Sequence, residues 1–489
     1  MINECVLLKD GRTIIFQDIT NSVSADIYQD DLHYQVCESL ADKYEIEKSL
    51  HQVLVNLLAL KSFRAREITA LCWYIENYKS NIVEVFAYDD VCLSLKSQGL
   101  GDIIVNQLGI AKVPLVTRRQ TITVLVKAIL HKLFRLFSRK PKVGVDVVRG
   151  WVEVTESMYP DIIRTAEVRV YPFPYGIIRQ INFINKCRKL GVLWSFDGLP
   201  YSFKDIFRIV FAPNMFEIAI TQLEYNAFSL YSREVMGWNP NTIYTSDEYE
   251  VGSVAFYSIL THNNIKSVNT AHGIGWYCPY VAYSEFRVFN HGQGDFYRKR
   301  NSSMALVLRE RNNAILPIDY DSCRNATHVA FVLIHQNFDD FQMPAERSAQ
   351  LRLGNLIKEA SAKCKVPYFV KLHPNTRPSD VTAVSRSLWG DPLIEWKTLT
   401  GYRPIFILIN STTFFELRDI APVLVYSAPS FKPELYFESG YNTVCLESCK
   451  EILVSLLNLD MWEKSFQNQC SANIFNSSDS AHPLHCALS

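Results

Sequence analysis

The chain has 489 residues with 50 basic and 50 acidic side chains, so its formal net charge is zero. An apolar fraction of 48% and a charged fraction of 20% exclude a mostly disordered chain, and the length suits two or three domains. The balanced charge argues against bulk attraction to nucleic acid, so no nucleic-acid partner is predicted. No apolar run reaches the ~18 residues that a membrane-spanning helix needs.

The first residues and the cysteines favour a cytoplasmic protein. Residues 1–16 mix Glu4, Lys9, Asp10 and Arg12 with apolar side chains, which does not resemble a secretory signal. The twelve cysteines are scattered, without the paired spacing of zinc ligands. We therefore expect reduced cysteines and no bound metal.

Short β-rich runs alternate with helical patterns along the chain. The predicted strands are 13–16, 82–87, 167–171, 192–195, 206–211, 242–245, 267–270, 328–334, 368–371, 405–409 and 422–426. Continuous hydrophobicity in the strands, with helices in between, is typical of parallel strands covered on both faces. The sequence therefore predicts a doubly wound α/β fold with two such sheets.

The polar stretch 309–327 predicts a domain boundary. It separates an N-terminal domain, residues 1–315, from a C-terminal domain, residues 328–465. Residues 466–489 are predicted to form a polar tail.

One segment departs from the even charge balance. Residues 103–145 contain nine basic side chains and no acidic one, and apolar residues recur there at helical spacing. Lys127, His131 and Arg135 fall four apart on the flank of this predicted helix. Such a basic amphipathic segment, 118–142, can lie in the interface of an anionic bilayer. A core helix with a solvated basic flank is the alternative.

The strand 368–371 ends in a candidate phosphate-binding residue, His373. Histidine at the carboxyl end of a parallel strand points into the crevice where open α/β sheets bind ligands. Pro374 ends the strand and fixes the direction of the chain. The imidazole can protonate or hydrogen-bond a departing phosphate, although a structural turn histidine fits the same pattern.

A run of polar residues follows the strand 405–409: Asn410, Ser411, Thr412 and Thr413. Thr413 with Glu416 fits a capping box, which places the hydroxyls at a helix N-terminus. That end of a helix favours an anion, and plain capping is the alternative. Together with His373, the run predicts a nucleotide-phosphate site.

Three strand ends in the N-terminal half carry candidates for acid–base chemistry. Asp197 follows 192–195 in an Asp-Gly turn, Asp247 and Glu248 follow 242–245, and His272 follows 267–270. Each can serve as a general base, and each also fits a plain turn or helix-start role. Three aromatic residues after His272 predict an acceptor-sugar surface: Trp276, Tyr277 and Tyr280.

Several common nucleotide and metal motifs are absent from the sequence. It contains neither G-x-x-x-x-G-K-[ST] nor G-x-G-x-x-G. The pair Asp319 and Asp321 lies in the polar stretch 309–327 rather than at a strand end. Metal-independent chemistry is therefore predicted.

The segment Lys371-Leu-His373-Pro374-Asn375 resembles the "HP" motif of bacterial glycosyltransferases that use CMP-activated sugars. Residues 410–413, with Glu416, resemble their Ser/Thr motif. This group includes the sialyltransferases, the polysialyltransferases, the Kdo transferases of capsule assembly and, more distantly, the CDP-glycerol polymerases. The resemblance covers about residues 328–430. It implies the GT-B architecture, with two Rossmann-like domains facing across a cleft.

The resemblance also implies residue roles. His373 would contact the leaving phosphate, and Ser411 and Thr412 would hydrogen-bond it. Asp197 is the nearest match to the acceptor-activating carboxylate of the sialyltransferases, although phenylalanine stands where the first acid of that motif occurs. His272 is the alternative base by likeness to the CDP-glycerol group, and Glu248 is a third.

The expected protein is a metal-independent glycosyltransferase that moves a CMP-activated nonulosonic acid, such as sialic acid, or Kdo onto a glycan. The nucleotide sugar is a co-substrate, and no cofactor is expected. The pathway would be capsule, O-antigen or lipooligosaccharide synthesis, with a glycan or lipid-linked glycan as acceptor. The location would be cytoplasmic, peripheral on the inner membrane. The alternatives are a CDP-glycerol-type phosphotransferase and a non-catalytic glycan-assembly protein.

Overall fold

The computed structural model describes residues 4–23, 27–28, 31–110, 115–139, 142–150, 159, 161–171, 177–211, 216–275, 277–301, 303–308, 318–338, 343–373, 376, 379–428, 431, 433–437 and 441–477. The chain divides into two compact units, residues 1–20 with 27–309 and residues 310–489 with 21–26. This division falls at the start of the polar stretch 309–327.

A small sheet opens the N-terminal unit, with strand order β2-β1-β3-β4. Its strands are β1 (Cys5–Leu8), β2 (Thr13–Ile15), β3 (Ile82–Ala87) and β4 (Val105–Gln107). Five helices belong to this region: α1 (Phe16–Ser22), α2 (Asp31–Ala41), α3 (Lys48–Lys61), α4 (Phe63–Tyr78) and α5 (Asp89–Ser97). Because β1 pairs antiparallel with both β2 and β3, the expectation of parallel strands only is wrong here. Gly11, at φ 82°, provides the left-handed turn between β1 and β2.

The second sheet of this unit has seven parallel strands in the order β11-β10-β9-β8-β5-β6-β7. They are β5 (Val147–Gly150), β6 (Glu167–Val170), β7 (Trp194–Phe196), β8 (Thr242–Thr245), β9 (Lys266–Thr270), β10 (Glu285–Val288) and β11 (Ala305–Leu308). The chain winds outward from β5 to β7, then returns beside β5 and winds the other way. The topological switch point therefore lies between β5 and β8, where open α/β sheets bind ligands.

The helices that accompany the seven-stranded sheet are α6 (Arg118–Arg135), α7 (Ile177–Lys189), α8 (Phe203–Val210), α9 (Phe216–Met236), α10 (Ser253–His262) and α11 (His291–Arg300). The prediction of a strand at 206–211 is wrong, because residues 206–210 belong to α8 and Phe211 directly follows it. Ser202 caps the helix by accepting a hydrogen bond from the amide of Lys204 at 3.1 Å. Ile206 and Ile209 are buried, whereas Phe207 and Val210 are exposed, so an apolar run that looks like a buried strand covers both helix faces.

The C-terminal unit contains one parallel sheet with the order β14-β13-β12-β15-β16-β17. Its strands are β12 (His328–Ile334), β13 (Tyr368–Lys371), β14 (Asp391–Pro392), β15 (Tyr402–Leu408), β16 (Val423–Tyr426) and β17 (Asn442–Val444). The winding reverses here as well, and the switch point lies between β12 and β15. The predicted α/β class with two doubly wound parallel sheets is confirmed.

Seven helices belong to this unit in the described residues: α12 (Tyr320–Arg324), α13 (Pro344–Cys364), α14 (Val381–Ser387), α15 (Phe414–Leu417), α16 (Glu434–Phe437), α17 (Cys449–Ser455) and α18 (Leu459–Ser477). The start of the predicted tail at 466 is wrong, because residues 466–477 continue α18. Gln469 on this helix is 1% exposed and accepts a hydrogen bond from the amide of Val423 at 2.9 Å. The helix is therefore tied to β16.

Candidate functional site

Two histidines meet at the carboxyl edge of the C-terminal sheet. His373 follows β13, and its backbone amide donates to Nδ1 of His335, which follows β12, at 3.4 Å. The amide of His335 in turn donates to the carbonyl of Lys371 at 2.9 Å. His335 is 8% exposed, and the side chain of His373 is half-buried. Because Nδ1 of His335 accepts from an amide, the neutral ring carries its proton on Nε2.

The loop that carries His335 is held by a buried amide side chain on α13. Oε1 of Gln350 accepts from the amide of Gln336 at 2.8 Å, and its Nε2 donates to the carbonyl of Gln336 at 3.1 Å. Gln350 is 5% exposed. This two-point contact fixes the backbone next to His335, and therefore the position of its ring.

The Ser/Thr turn after β15 is built differently from the capping box that the sequence predicts. Thr413 makes no side-chain capping bond, and Oγ of Ser411 instead accepts from the amide of Thr413 at 3.3 Å. The amides of Phe414, Phe415 and Glu416 donate to carbonyls within the turn. Helix α15 has four residues, so its dipole offers little to an anion. The predicted capping box is wrong, and any phosphate contact here would come from hydroxyls.

The remaining predicted phosphate-site residues differ in exposure. Thr412 is exposed, Asn410, Thr413 and Glu416 are half-buried, and Ser411 is buried. Pro374 and Asn375 lie outside the described residues. Since β13 and β15 both flank β12, the ends that carry His373 and Ser411 share one sheet edge, two strand spacings or roughly 10 Å apart. Both motifs therefore lie at the same sheet edge, and their joint role in binding a nucleotide phosphate stays a prediction.

Arg149, near the end of β5, is the centre of a buried ionic cluster in the N-terminal unit. Nε of Arg149 pairs with Asp197 at 2.6 Å, and Nη1 pairs with Asp247. Tyr231 donates its hydroxyl proton to Asp197, while Tyr257 and Tyr283 donate theirs to Asp247. All three members of this ionic cluster are 2% exposed or less. Although burial disfavours the charged guanidinium, the two carboxylates raise the pKa of Arg149 well above its usual range.

Asp197 is thus part of a buried ion pair rather than an exposed turn. Its role as the acceptor-activating base stays a prediction, and its burial argues against that role. A residue that removes a proton must come within hydrogen-bond reach of the reacting hydroxyl. Both of its oxygens already accept hydrogen bonds inside the protein.

Glu248 and His272 form a second pair at the same edge, next to the switch point. Glu248 is fully buried and accepts hydrogen bonds from the amide of His272 and from Nδ2 of Asn269, the latter at 3.1 Å. Burial raises the pKa of Glu248 to about 7 against the opposing effect of these hydrogen bonds. The His272 side chain is exposed, and its ring lies edge-on to Tyr249 at 5.6 Å between centroids. Glu248 therefore holds the backbone of an exposed imidazole.

A glutamine of α11 holds the loop after His272. Nε2 of Gln293 donates to the carbonyls of Gly273 and Gly275, at 3.1 and 2.9 Å, and Gln293 is fully buried. A Cβ at Gly273 would lie 3.0 Å from the hydroxyl of Tyr277, so a larger residue there would require a small shift of that side chain. The loop is therefore held by Gln293 and packs closely on Tyr277.

The acceptor-sugar surface formed by Trp276, Tyr277 and Tyr280 stays a prediction. Trp276 lies outside the described residues. Tyr280 donates its hydroxyl proton to Glu38 at 2.8 Å, and Tyr277 is only partly exposed. The hydroxyl of Tyr280 therefore donates its hydrogen bond to Glu38 of α2 rather than to a sugar.

Sequence reasoning missed four residues that organise these sites: Arg149, Gln293, His335 and Gln350. His335 had a usable signal, because it directly follows the predicted strand 328–334, as His373 follows 368–371. Arg149 had a weaker one, a charged residue inside an apolar run that was not recognised as a strand. The two glutamines lie on helices and carry no local motif.

Among the described residues, no cluster of three or more His, Cys, Asp or Glu side chains can hold a metal ion. Metal independence stays a prediction.

No protein-family model matches the sequence, and no curated protein is significantly similar to it. Among solved structures, MurG from Acinetobacter baumannii is 9% identical with a TM-score of 0.42, covering 69% of this chain and 99% of that one. MnaA from S. aureus with UDP is 9% identical (TM-score 0.38, 66% and 91% covered). An α,α-trehalose-phosphate synthase (UDP-forming) from Burkholderia vietnamiensis is 8% identical (TM-score 0.38, 69% and 97% covered). Similarity this distant assigns neither a family nor an activity.

Proposed function

We propose that this chain is a GT-B glycosyltransferase that takes a sugar from a nucleotide donor and transfers it to a glycan hydroxyl. The proposed donor is a CMP-activated nonulosonic acid or Kdo, and the proposed pathway is capsule, O-antigen or lipooligosaccharide synthesis. One observation carries the proposal: two histidines follow adjacent parallel strands beside a topological switch point, with the amide of one bonded to the ring of the other and hydroxyls after the next strand. That edge is where open α/β sheets hold nucleotides.

The leaving nucleotide is the proposed ligand of this edge. Nε2–H of His335 is a hydrogen-bond donor fixed by the amide of His373, and it needs no proton uptake to donate. His373 itself, as a second imidazole, would stabilise or protonate the departing phosphate. Ser411 and Thr412 would add hydroxyl donors. Imidazole and hydroxyl donors acting together can neutralise developing charge, and we propose that they do so without a metal ion.

His272 is the proposed general base, in place of Asp197. It is exposed at a strand end, its backbone is held by Glu248, and its loop is held by Gln293. Asp197, by contrast, is committed to Arg149. Glu248 is then a positioning residue, because its carboxyl group is buried beneath the His272 backbone.

The test is transfer by His335→Gln and His373→Gln variants, with a panel of CMP-, CDP- and UDP-activated donors. His328→Gln is the matched control, because His328 is an exposed histidine at the opposite end of β12. We expect each site variant to lose about a hundredfold in kcat, with the control unchanged. Near-normal turnover by both site variants with every donor would exclude the assignment.

Product analysis separates the alternatives. A CDP-glycerol-type phosphotransferase also releases CMP, but its product gains the mass of a phosphoalcohol rather than a sugar. A non-catalytic glycan-assembly protein would bind a nucleotide and turn over none of the donors.

A further inference from the structure

Helix α6 has its polar side turned toward the protein. Lys127 pairs with Glu250 at 2.6 Å, and Nζ of Lys132 donates to the carbonyl of Tyr201 at 3.0 Å. Arg135 pairs with Glu234. The flank that carries Lys127, His131 and Arg135 therefore faces the protein.

His131 confirms the orientation of α6. It is fully buried, and its Nδ1 accepts from the amide of Leu199 at 3.1 Å. Gly198 makes this close packing possible, since a Cβ there would lie 2.7 Å from the backbone of Arg135. The inward face of α6 thus packs on the loop that follows β7, at the carboxyl edge of the seven-stranded sheet.

The opposite side of α6 is apolar and exposed. Leu133 and Ile122 are 52% and 59% exposed, and Leu136 directly after the helix is 78% exposed. Along the chain the exposed apolar positions follow helical spacing: Ile122, Val126, Ile129, Leu133, Leu136 and Phe137. A helix that exposes an apolar stripe while Lys127, Lys132 and Arg135 bond to the protein departs from the usual arrangement of a water-soluble protein.

Helix α8 extends this apolar surface. The ammonium group of Lys132 lies 3.9 Å from the centroid of the Phe203 ring, so the two helices are neighbours. Four more large apolar side chains are exposed on α8 and at its end: Phe203, Phe207, Val210 and Phe211. We call these ten side chains the α6–α8 surface. Large exposed apolar side chains gathered on two neighbouring helices mark an interaction site.

The exposed charges of the same segments are all basic. They are Arg118, Arg119, Arg139, Lys142, Lys204 and Arg208. The sequence has no acidic residue from 103 to 145, and the single acid of α8, Asp205, is 5% exposed. Apolar side chains accompanied by exposed cations match the boundary between acyl chains and anionic headgroups.

We infer that the α6–α8 surface docks on an anionic lipid bilayer by inserting its apolar side chains. The helices would lie in the plane of the interface, since no helix among the described residues is long and apolar enough to cross a membrane. Burial of the apolar side chains would supply most of the binding free energy. Arg118, Arg119 and the other exposed cations would make the chain prefer anionic lipid. Transfer activity is not needed for this docking.

The test is flotation of the full-length chain with phosphatidylcholine vesicles, with and without about 30% phosphatidylglycerol. Leu133→Glu with Phe207→Glu places charge in the α6–α8 surface. Leu93→Glu is the matched control, because Leu93 is a 47% exposed leucine on α5. Since burying one large apolar side chain is worth about tenfold or more in partitioning, we expect the double variant to lose at least about tenfold in binding. The control should bind as the unaltered chain does.

Salt and lipid composition test the proposed mode of binding. Arg118→Glu with Arg119→Glu should weaken binding at low salt, and the unaltered chain should keep most of its binding at about 0.5 M salt. Circular dichroism checks that every variant is folded. Unchanged flotation of the Leu133→Glu/Phe207→Glu variant would overturn the proposal. A second result would also overturn it: the unaltered chain does not bind vesicles but forms a dimer, and the Leu133→Glu/Phe207→Glu variant is monomeric. A second copy of the chain would then cover the α6–α8 surface.

Discussion

The ion pairs of Arg149 indicate a structural role for Asp197 and Asp247 in the N-terminal unit. It joins two carboxylates from separate strand ends, and four aromatic rings lie within 6 Å of its guanidinium: Tyr171, Phe228, Tyr231 and Phe256. Such a cation is stabilised by its partners and its ring contacts, and the carboxylates in turn depend on it. The cluster is therefore a structural tie across β5, β7 and β8.

Replacement of Asp197 by Asn tests that interpretation. Because the change leaves Arg149 with one carboxylate in a buried setting, we expect a loss of about 3 kcal/mol in the free energy of unfolding. The transfer rate of the remaining folded enzyme should fall by less than about tenfold. Urea denaturation and kinetics at low temperature measure the two effects. A large fall in kcat with unchanged stability would restore Asp197 as the base.

Glu248 makes a prediction about pH. Its pKa is about 7 in the folded chain and 4.5 ordinarily, so between these values the folded state binds the extra proton. Stability is therefore greatest below about pH 4.5 for this group and falls as pH rises toward 7, by about 3 kcal/mol in total. Glu248→Gln should remove this contribution.

Denaturation at pH 5 and pH 8 provides the check. The stability of Glu248→Gln relative to the unaltered chain should improve with rising pH, because the variant has no carboxyl group to ionise. A pH-independent difference between the two proteins would show that Glu248 is ionised in the folded state at both values.

At the scale of elements, hydrophobic runs located four described strands in each parallel sheet but missed β5, β10, β11, β14 and β17, and they predicted the helices at the surface poorly. The run 328–334 is a strand that pairs with β13 and β15 inside the six-stranded sheet, and its continuous hydrophobicity matches the burial of residues 330–334. The run 206–211 is similarly apolar but lies on α8 and at its end, where four of its six residues are exposed. Sequence alone does not distinguish apolar residues that face a core from those that face a partner outside the chain.

The candidate site shows the same limit. Strand-end histidines follow from the strand prediction, so His272 and His373 were found. The commitment of Asp197 to Arg149 depends on pairing between β5 and distant strands, which no local pattern encodes. The Ser411 turn has the residue types of a capping box, yet Thr413 makes no side-chain capping bond to α15, which has only four residues.

Gln293 gives a prediction at this scale, because it connects α11 to the loop after β9. Gln293→Ala removes both hydrogen bonds to the loop carbonyls, while the helix itself keeps its backbone bonds. We expect faster amide exchange at residues 271–275 and a roughly ten- to hundredfold fall in kcat, since small displacements of a reacting group are costly.

Gln222→Ala is the matched control, because Gln222 bonds only locally to Asn226 among its described hydrogen bonds. An equal fall in kcat for both variants would show that the loss at Gln293 reflects general destabilisation rather than loop position.

At the scale of the whole molecule, each unit has its own doubly wound sheet and its own switch point. The ionic cluster and the Glu248–His272 pair belong to the N-terminal unit, while His335, His373 and the Ser411 turn belong to the C-terminal unit. If the donor nucleotide binds next to His335 and His373, it should slow amide exchange in the C-terminal unit alone. The site assignment can therefore be tested by finding which of the two units the nucleotide protects.

Hydrogen exchange of the full-length chain with and without CMP tests whether the C-terminal unit holds the nucleotide. We expect slower exchange at the segments after β12, β13 and β15, around residues 335–337, 372–376 and 409–413, because a ligand that binds the native state suppresses local opening. His373→Gln should abolish this protection, and His328→Gln should retain it. Protection confined to the N-terminal unit would contradict the assignment, since the nucleotide would then be held by the sheet that contains Arg149.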